Sequence, residues 1–273
     1  MEESLQRQLA SLLRKDGARP VVTRRPRKTP VFPLPPGREV ENAHGRYYLA
    51  EVDIGKLLAL EKCDALTLAD PPWTIDDGPR GPLEIDRPLF LDIETTGFRS
   101  TPLFLITTFL HDDTGEFRFR QRFARNYTEE AAVIAATLEE LANAHSLVTY
   151  NGKSYDLPFI RTRAAFHRIR SRFDGPHLDL LHTCRRKWKG EAPDFRLQTM
   201  EHYFAPLSRS TGDIPSFEIP ALYHRYVRTG HDPRLRSVFR HNLRDVLTMI
   251  RLLEILLREE TTPGPREESK LEG

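Results

Sequence analysis

The residues of this chain whose types and spacing suggest chemistry are carboxylates. In Leu89-Phe90-Leu91-Asp92-Ile93-Glu94-Thr95-Thr96-Gly97, led in by Pro88, the apolar run and its Thr-Thr-Gly end read as a buried strand. Alternate strand residues share a face, so Asp92 and Glu94 project together from the side that carries Phe90. Two unpaired carboxylates beside apolar neighbours are costly to desolvate unless a cation holds them. Hard oxygen ligands of this kind suit Mg²⁺ or Mn²⁺; the plainer alternative is a pair of strand-end acids that cap a turn or face water.

Three further acids carry two readings each. Asp156 follows Val148-Thr149-Tyr150-Asn151-Gly152-Lys153-Ser154-Tyr155 and suits a helix N-cap before Leu157-Pro158 as well as a ligand. Asp245 lies within a long helix whose apolar stripe is Phe239, Leu243, Val246, Ile250, Leu253 and Leu257. It sits off the centre of that stripe, one turn after His241, so the two side chains can meet or simply form an exposed pair. Asp179 ends a strand before a helix and reads as a structural cap.

The elements that must position these groups follow from periodicity. Strands are expected at 89–97, 103–110, 117–123, 147–150 and 177–180. Asp112-Asp113-Thr114-Gly115 reads as a hairpin turn. In the third strand Phe117, Phe119 and Phe123 alternate with Arg118, Arg120 and Arg122, the pattern of a half-buried strand near the edge of an antiparallel trio. Helices are expected from Thr128, as cap, to about residue 144, at 156–172, and through the last stretch to 257. Strands in a run followed by alternation with helices imply an α/β fold: a mixed five-stranded sheet with helices on both faces.

Ahead of the sheet, Leu5, Leu9, Leu12 and Leu13 form one helical stripe over residues 3–16, which could dock on its own domain or on a protein partner. An Arg-, Lys- and Pro-rich linker covers 19–36, with Arg24, Arg25, Arg27 and Lys28 close together. Order resumes at 38, and a proline-rich link at 70–88 leads to the sheet. The expected division is therefore 1–37 for helix and linker, 38–87 for a small N-terminal appendage, 88–258 for the main domain, and 259–273 for a polar tail.

Lys and Arg total 41 against 39 acids, so net charge identifies no partner; only local runs can. Arg161, Arg163, Arg168, Arg170 and Arg172 form one acid-free run, and Arg185, Arg186, Lys187 and Lys189 surround Trp188. These runs are either solvated faces or phosphate contacts. Cys63 and Cys184 are the only cysteines and lie far apart, which fits a reducing cytosol. The start, Met-Glu-Glu, shows no signal-peptide pattern, and no apolar run reaches membrane-span length. The expectation is a soluble cytoplasmic protein with no membrane association.

An Asp-x-Glu on the first strand, an Asp after a later strand, and an Asp on the last helix with a His one turn earlier resemble the DEDD superfamily of 3′–5′ exonucleases, which have a ribonuclease H-like fold. More closely, the chain is similar to the bacterial YprB-type branch. The resemblance is carried by Leu-Asp-Ile-Glu-Thr-Thr-Gly at 91–97, Val-Thr-Tyr-Asn-Gly-Lys-Ser-Tyr-Asp-Leu-Pro at 148–158 and His-Leu-Asp-Leu-Leu-His at 177–182. It continues through Asp-Ile-Pro at 213–215, Glu-Ile-Pro at 218–220 and His-Asn-Leu-Arg-Asp at 241–245.

The resemblance implies that Asp92, Glu94, Asp156 and Asp245 hold two Mg²⁺ or Mn²⁺ ions, with His241 as general base. With the basic runs, it implies contacts to DNA or RNA with a 3′ end through Thr95, Asn151, Lys153, Arg161, Arg185 and Arg186. Two departures stand out. The histidine-type enzymes carry His five residues before the last Asp and the tyrosine-type carry Tyr four before it; here His stands at four, a rotation of about 100° on a helix. The turn Phe98-Arg99-Ser100-Thr101-Pro102 replaces the longer glycine-rich turn usual in the YprB-type branch. Competing functions are a structure-specific endonuclease on the same fold and a non-catalytic nucleic-acid-binding protein.

Overall fold

Period-two alternation lays down nine strands among the described residues, which in this computed structural model are 34–261 apart from positions 62, 65, 67–70, 99, 112–116 and 208–213. The strands are β1 (Arg38–Asn42), β2 (Gly45–Asp53), β3 (Trp73–Asp76), β4 (Pro82–Ile85), β5 (Pro88–Thr95), β6 (Leu103–His111), β7 (Phe117–Phe123), β8 (Ser146–Thr149) and β9 (His177–Asp179). The helices are α1 (Ile54–Glu61), α2 (Glu130–Asn143), α3 (Asp156–Phe166), α4 (Leu180–Lys187), α5 (Leu197–Tyr203), α6 (Ile219–Thr229) and α7 (Leu235–Thr261). All belong to one unit, Phe32–Gly273.

Seven strands form one mixed sheet in the order β1-β2-β7-β6-β5-β8-β9, with β5–β8 and β8–β9 parallel and the other neighbours antiparallel. The acid-bearing strand β5 therefore sits inside the sheet, where the pairing changes from antiparallel to parallel. Helices cover both faces. Leu89, Leu91 and Ile93 join an apolar cluster with Ala132, Val133 and Leu141 of α2. Phe90 joins a second cluster with Val246, Leu247 and Ile250 of α7. Successive residues of β6 show the same division: Thr108 bonds Glu140 of α2, whereas Thr107 bonds Asn242 of α7.

The mixed α/β sheet agrees with expectation, but it has seven strands rather than five. The extra two are β1 and β2, which bury Tyr47, Leu49 and Ala50 and pair onto β7. That pairing moves β7 from the expected edge into the interior. Its arginines are then covered by α2: Arg120 and Arg122 each lie 2.8 Å from Glu140. The proline-rich link holds a hairpin, β3–β4, whose Trp73, Ile75 and Ile85 are buried. Asn126, not Thr128, caps the approach to α2, accepting from the Thr128 N–H at 2.9 Å. Helix α3 ends at Phe166 rather than 172, because Arg168 turns left-handed with φ 58°.

Several expectations fall outside the described residues: the helix at 3–16, most of the basic linker, the hairpin turn at 112–115, Asp213, and the tail from 262. Among the described residues no helix is long and apolar enough to cross a membrane.

A buried hub ties α2, α3 and the loop after β5 together. Glu130 accepts from Arg163 at 2.5 and 2.7 Å, from the Leu103 N–H at 2.7 Å, and lies 2.8 Å from His167 Nε2. Arg163 also donates to the Ser100 carbonyl at 2.9 Å. This corrects the acid-free reading of the 161–172 run, since the partner acid comes from another helix. Breaking such a pair leaves a buried charge uncompensated, so Glu130→Ala is expected to cost about 3–5 kcal/mol in a urea unfolding titration. A loss below about 1 kcal/mol, the scale of an exposed pair, would contradict the hub.

Candidate active site

The end of the sheet where β5 and β8 run parallel is built by three local devices. Strand alternation turns Asp92 and Glu94 toward α7, and Asn242 of α7 donates through Nδ2 to Asp92 Oδ2. After β8, the chain reverses at Asn151, whose φ is 63°. Gly152 follows because a Cβ there would lie 2.3 Å from Thr149 Oγ1. The turn is held by Asp179, which accepts the N–H groups of Asn151 at 2.7 Å and Lys153 at 3.0 Å, and also that of Leu181 at 3.2 Å. Asp179 is thus the structural cap its position suggested. The turn delivers Asp156, buried, to the first position of α3, one residue after the N-cap Tyr155; its carboxyl accepts from its own and the Ile93 backbone N–H.

On α7, His241 is buried with Nε2 3.5 Å from Asp245 Oδ2 and 3.4 Å from Ser216 Oγ. The four-residue spacing therefore does let the two side chains meet. Thr95 Oγ1 donates to the Gly97 carbonyl at 2.8 Å and lies 3.1 Å from the Tyr155 hydroxyl, linking the β5 end to the start of α3.

The electrostatics show that the four acids share one field. Desolvation raises Asp92 well above the usual carboxyl range, and the charges of Asp245, Asp156 and Glu94 add to it. Glu94 is pushed up to about 8 by desolvation, with Asp245 and Asp156 raising it further and His241 opposing. Asp156 is pushed up to about 7 by desolvation, with Asp179 and Asp245 contributing and the Ile93 N–H opposing. Among the described residues no Lys or Arg forms an ion pair with Asp92, Glu94 or Asp156. Nor, among the described residues, do any three His, Cys, Asp or Glu side chains stand together as a ready-made metal cage.

The donor set fits a hard divalent cation in kind: all oxygen and mutually repelling, with Asp92, Glu94 and Asp156 desolvated and unpaired with arginine.

The remaining sequence-derived positions are more dispersed. Asn151 is exposed, and Lys153 Nζ lies 3.8 Å from Asp77. Arg161 is exposed and donates to the Phe173 carbonyl at 3.2 Å. Arg186 donates to the Asp76 carbonyl at 2.8 Å, while Arg185 is exposed. Trp188 is buried and stacked on Phe204 at 4.1 Å, so it belongs to the core and not to a base-stacking surface. Sequence reasoning passed over Tyr155, Ser216 and Asn242; the last was visible only as a polar residue inside His-Asn-Leu-Arg-Asp.

Residues 89–257 match the family model RNase_H_2 of the RNase_H superfamily. The chain belongs to the ribonuclease H superfamily. Within the matched span the chain is similar to the uncharacterized protein YprB of Bacillus subtilis (strain 168), which is 34% identical over 169 residues. That match covers 60% of this chain and 40% of YprB, so this chain corresponds to less than half of that relative's length. A family B DNA polymerase from the hyperthermophilic archaeon Pyrobaculum calidifontis shares the fold, with a TM-score of 0.51 and 17% identity over 71% of this chain and 28% of the polymerase. In this ribonuclease H superfamily chain, the matched span contains all four candidate acids and His241.

Raised carboxyl pKa values mean that the folded state holds its protons more tightly than the unfolded chain does. The stability these protons contribute is complete below the ordinary values of 3.8 and 4.5, and is lost as pH rises through about 7 for Asp156 and about 8 for Glu94. In chelator, the melting temperature of this ribonuclease H superfamily chain is expected to decline from about pH 5 to about pH 8.5, and Asp156→Asn to flatten the decline. A melting temperature that climbs across that interval would contradict the assignment.

Proposed function

We propose that the chain is a metal-dependent 3′–5′ exonuclease that hydrolyses phosphodiester bonds of DNA or RNA by a two-metal-ion mechanism. The observation that carries this reading is the set of four acids in one desolvated field, three of them raising Asp92, without an arginine or lysine paired to Asp92, Glu94 or Asp156. A purely structural cluster would lower that repulsion with basic partners, as Glu130 and Glu140 do with Arg163, Arg120 and Arg122. The 3′–5′ polarity rests on the DEDD resemblance of the motifs around those acids.

Asp92, Glu94, Asp156 and Asp245 would hold the ions. When bound, two divalent ions supply an ionised water as nucleophile and shield the departing 3′-oxygen. The chain's own residues supply the rest. His241 is buried with Nε2 3.5 Å from Asp245 Oδ2, so the carboxylate would stabilise the imidazolium formed when the ring takes a proton from the attacking water. Thr95 and Tyr155 hold the β5 end against the start of α3, which keeps Glu94 and Asp156 on one side of the cleft. Phe98, 89% exposed directly after the acid-bearing strand, offers a face on which a terminal base can stack. Lys153, Arg161, Arg185 and Arg186 remain the proposed contacts to the phosphate backbone.

Asp92→Asn and Asp245→Asn are each expected to abolish Mn²⁺- or Mg²⁺-dependent cleavage while far-UV dichroism stays unchanged. His241→Ala should lower kcat by about 10²–10⁴-fold, the usual worth of a general base, and leave metal binding intact. The deciding assay uses end-labelled DNA and RNA oligonucleotides with free or blocked 3′ termini, in Mn²⁺, Mg²⁺ or chelator. Mononucleotides released only from free 3′ ends support the exonuclease. Internal cuts in a 3′-blocked or circular substrate would replace it with the endonuclease, and no cleavage in any metal would leave a binding protein.

A further inference from the structure

A row of polar residues runs across the α7 face of the sheet where a core would ordinarily be apolar. In strand register Asp92 of β5 lies opposite Thr107 of β6, and Thr107 lies opposite Gln121 of β7. Thr107, Gln121 and Asn242 are each 0% exposed. Buried polar groups of this kind are retained at a cost unless every bond is made, so the pattern of bonds decides what they do.

That pattern has one direction. Gln121 Nε2 donates to the Phe239 carbonyl at 2.9 Å and to Thr107 Oγ1 at 2.9 Å. A carbonyl can only accept, so Phe239 fixes which end of the Gln121 amide faces inward. This orientation leaves Gln121 Oε1 buried without a partner, yet the reverse would set two carbonyl oxygens against each other. Thr107, having accepted, gives its single proton to Asn242 Oδ1. Asn242 must then turn its amide N–H₂ outward, and Nδ2 donates to Asp92 Oδ2.

We propose that Gln121, Thr107 and Asn242 are positioning residues forming a directional relay. It fixes Asp92 as a hydrogen-bond acceptor on Oδ2 and leaves its other oxygen oriented for a divalent cation. The inference rests on the metal-dependent reading above and assigns the device that prepares one of its ligands. The relay explains why a carboxylate crowded by three others keeps a defined orientation: it accepts from an amide whose own orientation is set two side chains away. It also gives Asn242 a role distinct from that of His241, its neighbour on the same helix. Outer partners that orient a metal ligand typically change affinity or activity by about 10–100-fold when removed.

The test uses Thr107→Val, which keeps the shape and removes the hydroxyl, with Thr107→Ser as the variant that restores it. Thr108→Val serves as the control, because Thr108 lies on the same strand but bonds Glu140 and Arg122 on the opposite face. Mn²⁺ binding to the full chain is followed by electron paramagnetic resonance of the free ion, with melting temperature and the kcat and KM for an oligonucleotide measured in parallel. Thr107→Val is expected to weaken Mn²⁺ binding and lower kcat about tenfold or more with KM unchanged. Thr107→Ser should recover most of both, and Thr108→Val should lose melting temperature without losing Mn²⁺.

If Thr107→Val does not fold, Gln121→Met tests the same relay from its far end and should weaken Mn²⁺ binding by a few-fold, in the range of an outer partner one bond further away. Wild-type affinity in the variant that folds, or an equal loss in Thr108→Val, overturns the relay while leaving the nuclease reading in place. A wild-type chain that binds no Mn²⁺ overturns both.

Discussion

Like charges gathered where water is scarce are the constraint on which this molecule turns. Asp92, Glu94, Asp156 and Asp245 arrive from β5, from the start of α3 and from α7, and the last three all raise the proton affinity of Asp92. Such an arrangement opposes folding by itself, because desolvation and repulsion act in the same direction. It persists only if the surrounding structure holds the supporting elements firmly enough to keep the acids together.

The rest of the fold provides that grip through charges of opposite sign. Glu130 binds Arg163, Glu140 binds Arg120 and Arg122, and Glu201 binds Arg244. These pairs lock α2 to α3, α2 to the sheet, and α7 to α5. Glu130, Glu140 and Glu201 are matched by arginines, and at the sheet end Asp92, Glu94 and Asp156 are not. On the proposed metal-dependent reading, the partner there would be a cation delivered from solution rather than a side chain.

Backbone and neutral hydrogen bonds do the finer work. Asp179 closes the Asn151–Gly152 turn and so sets where Asp156 begins α3. Asn242 holds Asp92 from above, and Thr95 with Tyr155 joins two of the elements at the rim. None of these contacts neutralises the site; they orient it. Preorganisation of this sort raises the strength of each later electrostatic contact, since little reorganisation remains to be done when charge develops.

The local pattern was enough to identify the acid-bearing strand, the shared face of Asp92 and Glu94, the Asn151–Gly152 turn, the cap at Asp179 and the His241–Asp245 pair. Each depends on neighbours one helical turn or two strand positions away, a range over which side-chain types carry the information. Contacts between distant segments were not legible. Arg163 read as a solvated face or a phosphate contact because its acid lies on α2, Trp188 read as part of a basic run because Phe204 covers it from further along the chain, and β7 read as near an edge because β2 pairs with it from far upstream. The row Gln121–Thr107–Asn242–Asp92 joins three strands and a helix, and its direction is imposed by one backbone carbonyl. Only folding brings those groups together, because hydrogen-bond partners that distant leave no periodicity in the sequence.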